Sequence, residues 1–214
     1  IHKTSPGAGA RDDRLLEEAI QIQAKRASEQ ADIILYLLDF GVGPTTEDRE
    51  FIKKLRHEKN HSIILVINKT DSAKNCAEAL LYSNLGLGDP FAVSALNGMG
   101  TGDLLDEIVK RGAHLPVKRK TKRKNNPIIT LALVGKPNVG KSPLFNAILQ
   151  EERVVVSPIP HTTRDPNITE IEYNGYYFQL VDTAGLAKKA RVYDHGEIEI
   201  FSVKKTLETI KKAD

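Results

Sequence analysis

Three groups of residues in this chain have the types and spacing to handle phosphate, a metal ion and a purine base. Gly135-Lys136-Pro137-Asn138-Val139-Gly140-Lys141-Ser142 combines two glycines with a following lysine and hydroxyl. Glycines at those places let backbone N–H groups turn inward around phosphate oxygens, and the N-terminus of a following helix adds a favourable dipole. Lys141 would then contact the β- and γ-phosphates, and Ser142 would give Mg²⁺ an oxygen ligand. Further along, Thr162-Thr163-Arg164-Asp165 offers the Thr163 hydroxyl to the same Mg²⁺. In Asp182-Thr183-Ala184-Gly185, Asp182 can hold the metal through water and the Gly185 N–H can sense the γ-phosphate. Each short motif alone is usually a turn; in this order after a phosphate loop they carry weight.

The third group lies earlier in the chain. Asn68-Lys69-Thr70-Asp71 follows the apolar run SIILVI. An aspartate accepts two hydrogen bonds from guanine N1 and N2, whereas adenine offers no such donor pair, so a site built on Asp71 selects GTP over ATP. Ser94-Ala95-Leu96 follows the next short strand and supplies a turn whose N–H is suited to guanine O6. An ATP-specific enzyme is disfavoured by the Asn-Lys-Thr-Asp run.

The elements that must position these groups alternate between strand and helix. ADIILYLLDF at 31–40 and SIILVI at 62–67 are continuous apolar runs of strand length, the pattern of strands covered on both faces. Helices are predicted at 13–28, from Thr45-Thr46 through EDREFIKKLR, and at 74–82, 102–111, 141–149 and 196–212, with further strands at 91–93 and 129–134. Segments 168–173 and 176–182, joined by Asn174-Gly175, read as a hairpin because Asn-Gly favours the tight primed turn. This alternation predicts an α/β fold, a doubly wound, mostly parallel sheet with helices on both faces.

The stretch 114–126 interrupts the pattern with a run rich in lysine and arginine, HLPVKRKTKRKNN before Pro127. It reads equally as a charged linker or as an arm for RNA phosphates. Three parts result: 1–113 with the base-reading motifs, the linker at 114–126, and 127–214 with the phosphate loop. Composition fits: 214 residues with 40% apolar content can build a real core, and a net charge of +3 argues for no particular partner. One cysteine, Cys76, excludes an internal disulfide framework. No apolar run approaches the ~20 residues of a membrane-spanning helix, so the expectation is a cytoplasmic protein without membrane contact. With Ile1 at its start and Met99 as its one methionine, the chain reads as a piece of a longer protein.

GKPNVGKS, TTRD, DTAG, NKTD and SAL together resemble the five G motifs of translation-factor-related P-loop GTPases. VVVSPIPHTTRD and DTAGLAKKARV are similar to the second G domain of the Der family, tandem G-domain GTPases of ribosome assembly. The resemblance covers nearly the whole chain, 1–113 matching the latter part of a first G domain and 127–214 the start of a second. It implies GTP hydrolysis to GDP with Mg²⁺, and association with the large ribosomal subunit or its rRNA. It also implies that Asn138 helps hold a K⁺ ion in place of an arginine finger, and that Leu186 leaves water positioning to other groups. The chain departs from the family at Pro143, at His161 and at Thr4-Ser5-Pro6-Gly7, which lacks the family's aspartate. Proline at 143 removes an N–H and disfavours helical geometry at Ser142. A second reading is therefore a nucleotide-insensitive RNA- or ribosome-binding module with a decayed loop. The motif order, with the base-reading groups first, is that of circularly permuted GTPases, and two arrangements stay open: two half-domains completed in an intact tandem GTPase, or, for this chain alone, closure into one permuted G domain.

Overall fold

The computed structural model describes residues 29–57, 62–115, 128–156 and 168–181. The helices predicted at 13–28 and 196–212, most of the basic linker, and the motif residues His161, Thr163, Asp182, Gly185 and Leu186 lie outside the described residues.

β1 (Ile33–Asp39) and β2 (Ser62–Asn68) are the two apolar runs, and they pair in parallel from Ile33↔Ser62 to Asp39↔Asn68. Neither alternates in polarity because the sheet is covered on both sides. Along β1, Ile33, Leu35 and Leu37 face one apolar cluster, while Ile34, Tyr36 and Leu38 face the other. α1 (Thr46–His57), α2 (Ala73–Ala79), the short β3 (Phe91–Ala92) and α3 (Thr101–Ala113) complete the first part. The second part contributes β4 (Ile128–Val134), α4 (Lys141–Gln150), β5 (Val154–Val156) and a hairpin of β6 (Thr169–Tyr173) and β7 (Tyr176–Val181). All seven strands form one sheet in the order β3-β2-β1-β4-β7-β6-β5. β4 pairs in parallel with β1 and with β7, and only β5 and β6 run antiparallel to their neighbours.

Local chemistry explains the boundaries. α1 opens on a reciprocal cap in which Thr45 N–H and Oγ1–H donate to Asp48 Oδ2 at 2.9 and 2.8 Å, and Asp48 N–H returns a bond to Thr45 Oγ1. Acidic Glu47 and Asp48 in its first turn and basic Lys54, Arg56 and His57 in its last complement the helix dipole. The buried Asp48 also accepts from the Tyr36 hydroxyl at 2.8 Å; burial first, then the aspartate, pushes that phenol above its ordinary range. The hairpin turn has both Asn174 (φ 50°) and Gly175 (φ 80°) in the left-handed region, as a primed turn requires.

The structure departs from the sequence reading in two elements. The helix predicted over 74–82 ends at Ala79 and tightens into a 3₁₀ turn over Leu80–Leu85, closed by Gly86 at φ 76°; the turn buries Leu85 against the core. β5 was not predicted, since Val154–Val156 is a run of only three residues, far shorter than those at 31–40 and 62–67; its pairing with β6 is what makes it a strand.

The apolar cluster beneath α3 and α4 draws on both parts of the chain, with Leu35, Val66 and Leu104 packing alongside Leu131, Leu144 and Phe145. Phe145→Ala is therefore expected to cost about 3–5 kcal/mol. Chemical denaturation followed by circular dichroism should show one transition shifted as a whole, not the loss of the second part alone.

Candidate functional site

The phosphate-loop residues join the C-terminal end of β4 to α4. Gly135, Asn138 and Gly140 have φ of 154°, 64° and 96°. Space, as well as dihedral angle, demands the glycines. A Cβ on Gly135 would lie 2.5 Å from the Leu37 carbonyl oxygen of β1, and one on Gly140 would lie 2.0 Å from Asn68 Nδ2. Lys141 Nζ donates to the carbonyls of Gly135 and Lys136 at 2.7 and 2.6 Å, which lays its ammonium across the loop. Ser142 is buried in the first turn of α4, Val139 is buried beneath the loop, and Pro137 and Asn138 are exposed.

Pro143 does not break α4. It sits in the first turn, where an N–H has no intrahelical acceptor, and Leu144 N–H still reaches the Gly140 carbonyl at 2.9 Å. Ser142 keeps its helical place, contrary to the expectation drawn from the proline; the missing N–H at 143 remains.

The base-reading residues gather at the adjoining end of β2. Asn68 is buried and uses both ends of its amide: Nδ2 donates to the Val139 carbonyl at 2.8 Å, and Oδ1 accepts the Ala95 N–H at 3.0 Å. That second bond engages one N–H of the Ser94-Ala95-Leu96 turn. Thr70 anchors the turn by bonding Val93 O with its hydroxyl at 2.8 Å. Asp71 stays exposed, with its Oδ1 accepting from the Ser94 hydroxyl. Lys69, at φ 66°, pairs with Asp39 at the end of β1, at 2.6 Å. The structure therefore brings Asn68, Ser94 and Ala95 into one hydrogen-bonded group with the phosphate loop. A cleft beside this group runs between Ala95 and Asn97 on one side and Ala147, Gln150 and Glu151 on the other.

Sequence reasoning missed the neighbours of Lys136. Its ammonium bonds Thr45 Oγ1 at 2.6 Å and Glu47 Oε2 at 3.0 Å, and it lies 3.9 Å from buried Asp48. Thr45 was legible only as a helix cap. The Glu47 carboxyl is held down to about 2, first by the Thr45 hydroxyl, then by its own backbone N–H and by Lys136.

For Mg²⁺, the described residues offer the Ser142 hydroxyl at the head of α4, a hard oxygen donor of the kind Mg²⁺ takes; Thr163 and Asp182 lie outside the described residues. For K⁺, Asn138 offers an exposed side-chain oxygen. Among the described residues no group of three or more His, Cys, Asp or Glu side chains is placed to hold a metal ion.

A family profile described as a 50S ribosome-binding GTPase matches residues 130–214. GTPase Der of Streptococcus pyogenes serotype M28 is 40% identical over 198 residues, 92% of this chain and 44% of that protein. GTPase Der of Macrococcus caseolyticus is 39% identical over 202 residues, 94% of this chain and 45% of that protein. This chain is homologous to the Der GTPases. It spans a little under half the length of these Der relatives. The similarity to Der covers residues on both sides of the basic linker.

The tightest contact of the site is the approach of Gly140 to Asn68. Gly140→Ala is expected to destabilise by about 1–3 kcal/mol through its positive φ and the clash with the amide. Because Asn68→Ala removes the clashing group, the double variant should lose less than the sum of the singles, by at least ~0.5 kcal/mol in a denaturation cycle.

Proposed function

We propose that this chain binds guanine nucleotides at the Gly135–Ser142 loop and hydrolyses GTP to GDP in the assembly of the large ribosomal subunit. The observation that carries the reading is the loop itself, a tight glycine turn at a helix N-terminus with the Lys141 ammonium lying across it. Backbone N–H groups of residues 138–142 would surround the β-phosphate. Lys141 would exchange its two carbonyl partners for β- and γ-phosphate oxygens, so the charge needed as the γ-phosphoryl leaves is already in place. Asp71 would accept the guanine N1 and N2 protons, with Ser94 orienting its carboxylate and Lys69 and Ala95 flanking the ring.

Mg²⁺, when bound, neutralises charge on the β- and γ-oxygens; Ser142 would hold it with Thr163 and, through water, Asp182, and Asn138 would help hold K⁺. Gly185 would report the γ-phosphate through its N–H. The ribosomal part of the reading is supported by the description of the family that matches 130–214 and by the Der relatives. No described helix is long and apolar enough to cross a membrane.

Phosphate release from GTP with Mg²⁺ and K⁺, compared with release from ATP, tests the activity. The expected result is GTP turnover, little ATP turnover, and a loss of at least ~100-fold in Lys141→Ala, since two charge-assisted hydrogen bonds to phosphate are removed. Equal turnover of both nucleotides, or an unaffected Lys141→Ala variant, would defeat the proposal. Co-sedimentation with purified large ribosomal subunits, with and without a non-hydrolysable GTP analogue, checks the partner.

A further inference from the structure

We infer that Asp39 is a positioning residue for the base-reading turn: its carboxylate fixes the Lys69 ammonium and so sets where the Lys69 stem lies against a guanine ring. The inference rests on the nucleotide reading above and assigns to β1 a residue that acts on the ligand through another.

Asp39 is built as a fixed post. It is the last residue of β1 and pairs with Asn68 on the final rung of the parallel ladder. Phe40 N–H carries that ladder one bond further, onto the Asn68 carbonyl at 2.9 Å. The chain then turns back on Asp39. Its carbonyl accepts the Val42 and Gly43 N–H groups at 3.3 and 2.9 Å, and its Oδ1 accepts the Gly41 N–H at 2.8 Å. A bond from the backbone two residues on is how an aspartate side chain holds a turn. The Tyr82 hydroxyl closes the outer side by donating to the Phe40 carbonyl at 3.4 Å. One carboxylate oxygen is thus committed to the turn. The other, Oδ2, takes Lys69 Nζ at 2.6 Å.

Lys69 has a fixed backbone and a long, rotatable side chain. Buried Asn68 and Thr70 bracket it, and its φ of 66° puts a residue with a Cβ in the left-handed region. Glycine takes that φ without strain, so a lysine here costs the fold. The ion pair does not offset that cost. The Lys69 side chain is 48% exposed, and solvent screening keeps such a pair small in stability. What the pair restricts is the four-carbon stem, whose rotamer freedom is among the largest of any side chain. Held at its ammonium by Asp39 and at its backbone by buried neighbours, the stem is ordered before a ligand arrives. Ordering one such side chain in advance is worth ~3–10-fold in affinity. The two carboxylates of this region have separate tasks. Asp71 is exposed and bonded to Ser94, whereas the Asp39 side chain is only 12% exposed and bonded to Gly41 and Lys69.

A double-variant cycle on nucleotide affinity tests this. Fluorescent GDP would be titrated into the full chain and into its Asp39→Asn, Lys69→Met, Asp39→Asn/Lys69→Met and Asp71→Ala variants, with a melting temperature for each. Asp39→Asn keeps an oxygen for the Gly41 N–H and removes the charge that holds Lys69. Lys69→Met keeps the apolar stem and removes the ammonium. The expected result is that Asp39→Asn weakens GDP by ~3–10-fold while its melting temperature stays within ~4 °C of the parent. In the Lys69→Met background the same substitution should change affinity by less than ~2-fold, because the partner is gone. A residue that only held the turn would leave GDP affinity unchanged in Asp39→Asn, or would lose as much in the Lys69→Met background. Either pattern overturns the inference. If Asp71→Ala abolishes GDP binding while Asp39→Asn binds as the parent does, the nucleotide reading stands and the role of Asp39 is wrong. If the parent binds no GDP, both are overturned.

Discussion

The Asn68 side chain is the constraint around which the rest of the site is arranged. A buried carboxamide leaves a large desolvation penalty unless its donors and acceptor are used. Here the donor end is taken by the Val139 carbonyl of the phosphate loop and the acceptor end by the Ala95 N–H of the following turn. Three loops from three strand ends are therefore held at hydrogen-bond distance by one planar group. Its bulk also dictates glycine at position 140, because any Cβ there would occupy the amide's place. A phosphate loop is commonly explained by what its glycines allow toward phosphate; here they are equally required by what lies behind the loop.

That amide can hold its place because the sheet beneath it is rigid. Burial along β1 and β2 and under α3 and α4 supplies the stabilising energy, at about 1.5–3 kcal/mol for each fully buried aliphatic side chain. The ionic contacts at the mouth have a different role. Lys136 with Glu47, and Lys69 with Asp39, involve partly or largely exposed groups, so solvent screening keeps their contribution to stability small. What they do is orient. Lys136 ties the second residue of the phosphate loop to the cap of α1, whose own geometry depends on buried Asp48 and the Tyr36 hydroxyl. A displacement of the loop would be felt at the start of α1.

The similarity to Der proteins covers nearly all of this chain but less than half of theirs. Homology therefore speaks to the type of each segment, while the pairing of segments is a matter of packing.

Local pattern determined much of this protein. The uninterrupted apolar runs announced strands buried on both faces, Thr45 announced a helix start, Asn174-Gly175 announced its hairpin, and the glycine-lysine-serine spacing announced a tight turn entering a helix, because each is written in contiguous residues whose backbone preferences act over a few positions. Tertiary structure alone decided the rest. It made β5 a strand through pairing with β6, tightened Leu80–Leu85 into a 3₁₀ turn, kept Ser142 helical beside Pro143, engaged the Ala95 N–H with Asn68, and sent Lys136 to α1. These depend on contacts between residues tens of positions apart, and a one-dimensional spacing holds no record of which distant surfaces will meet.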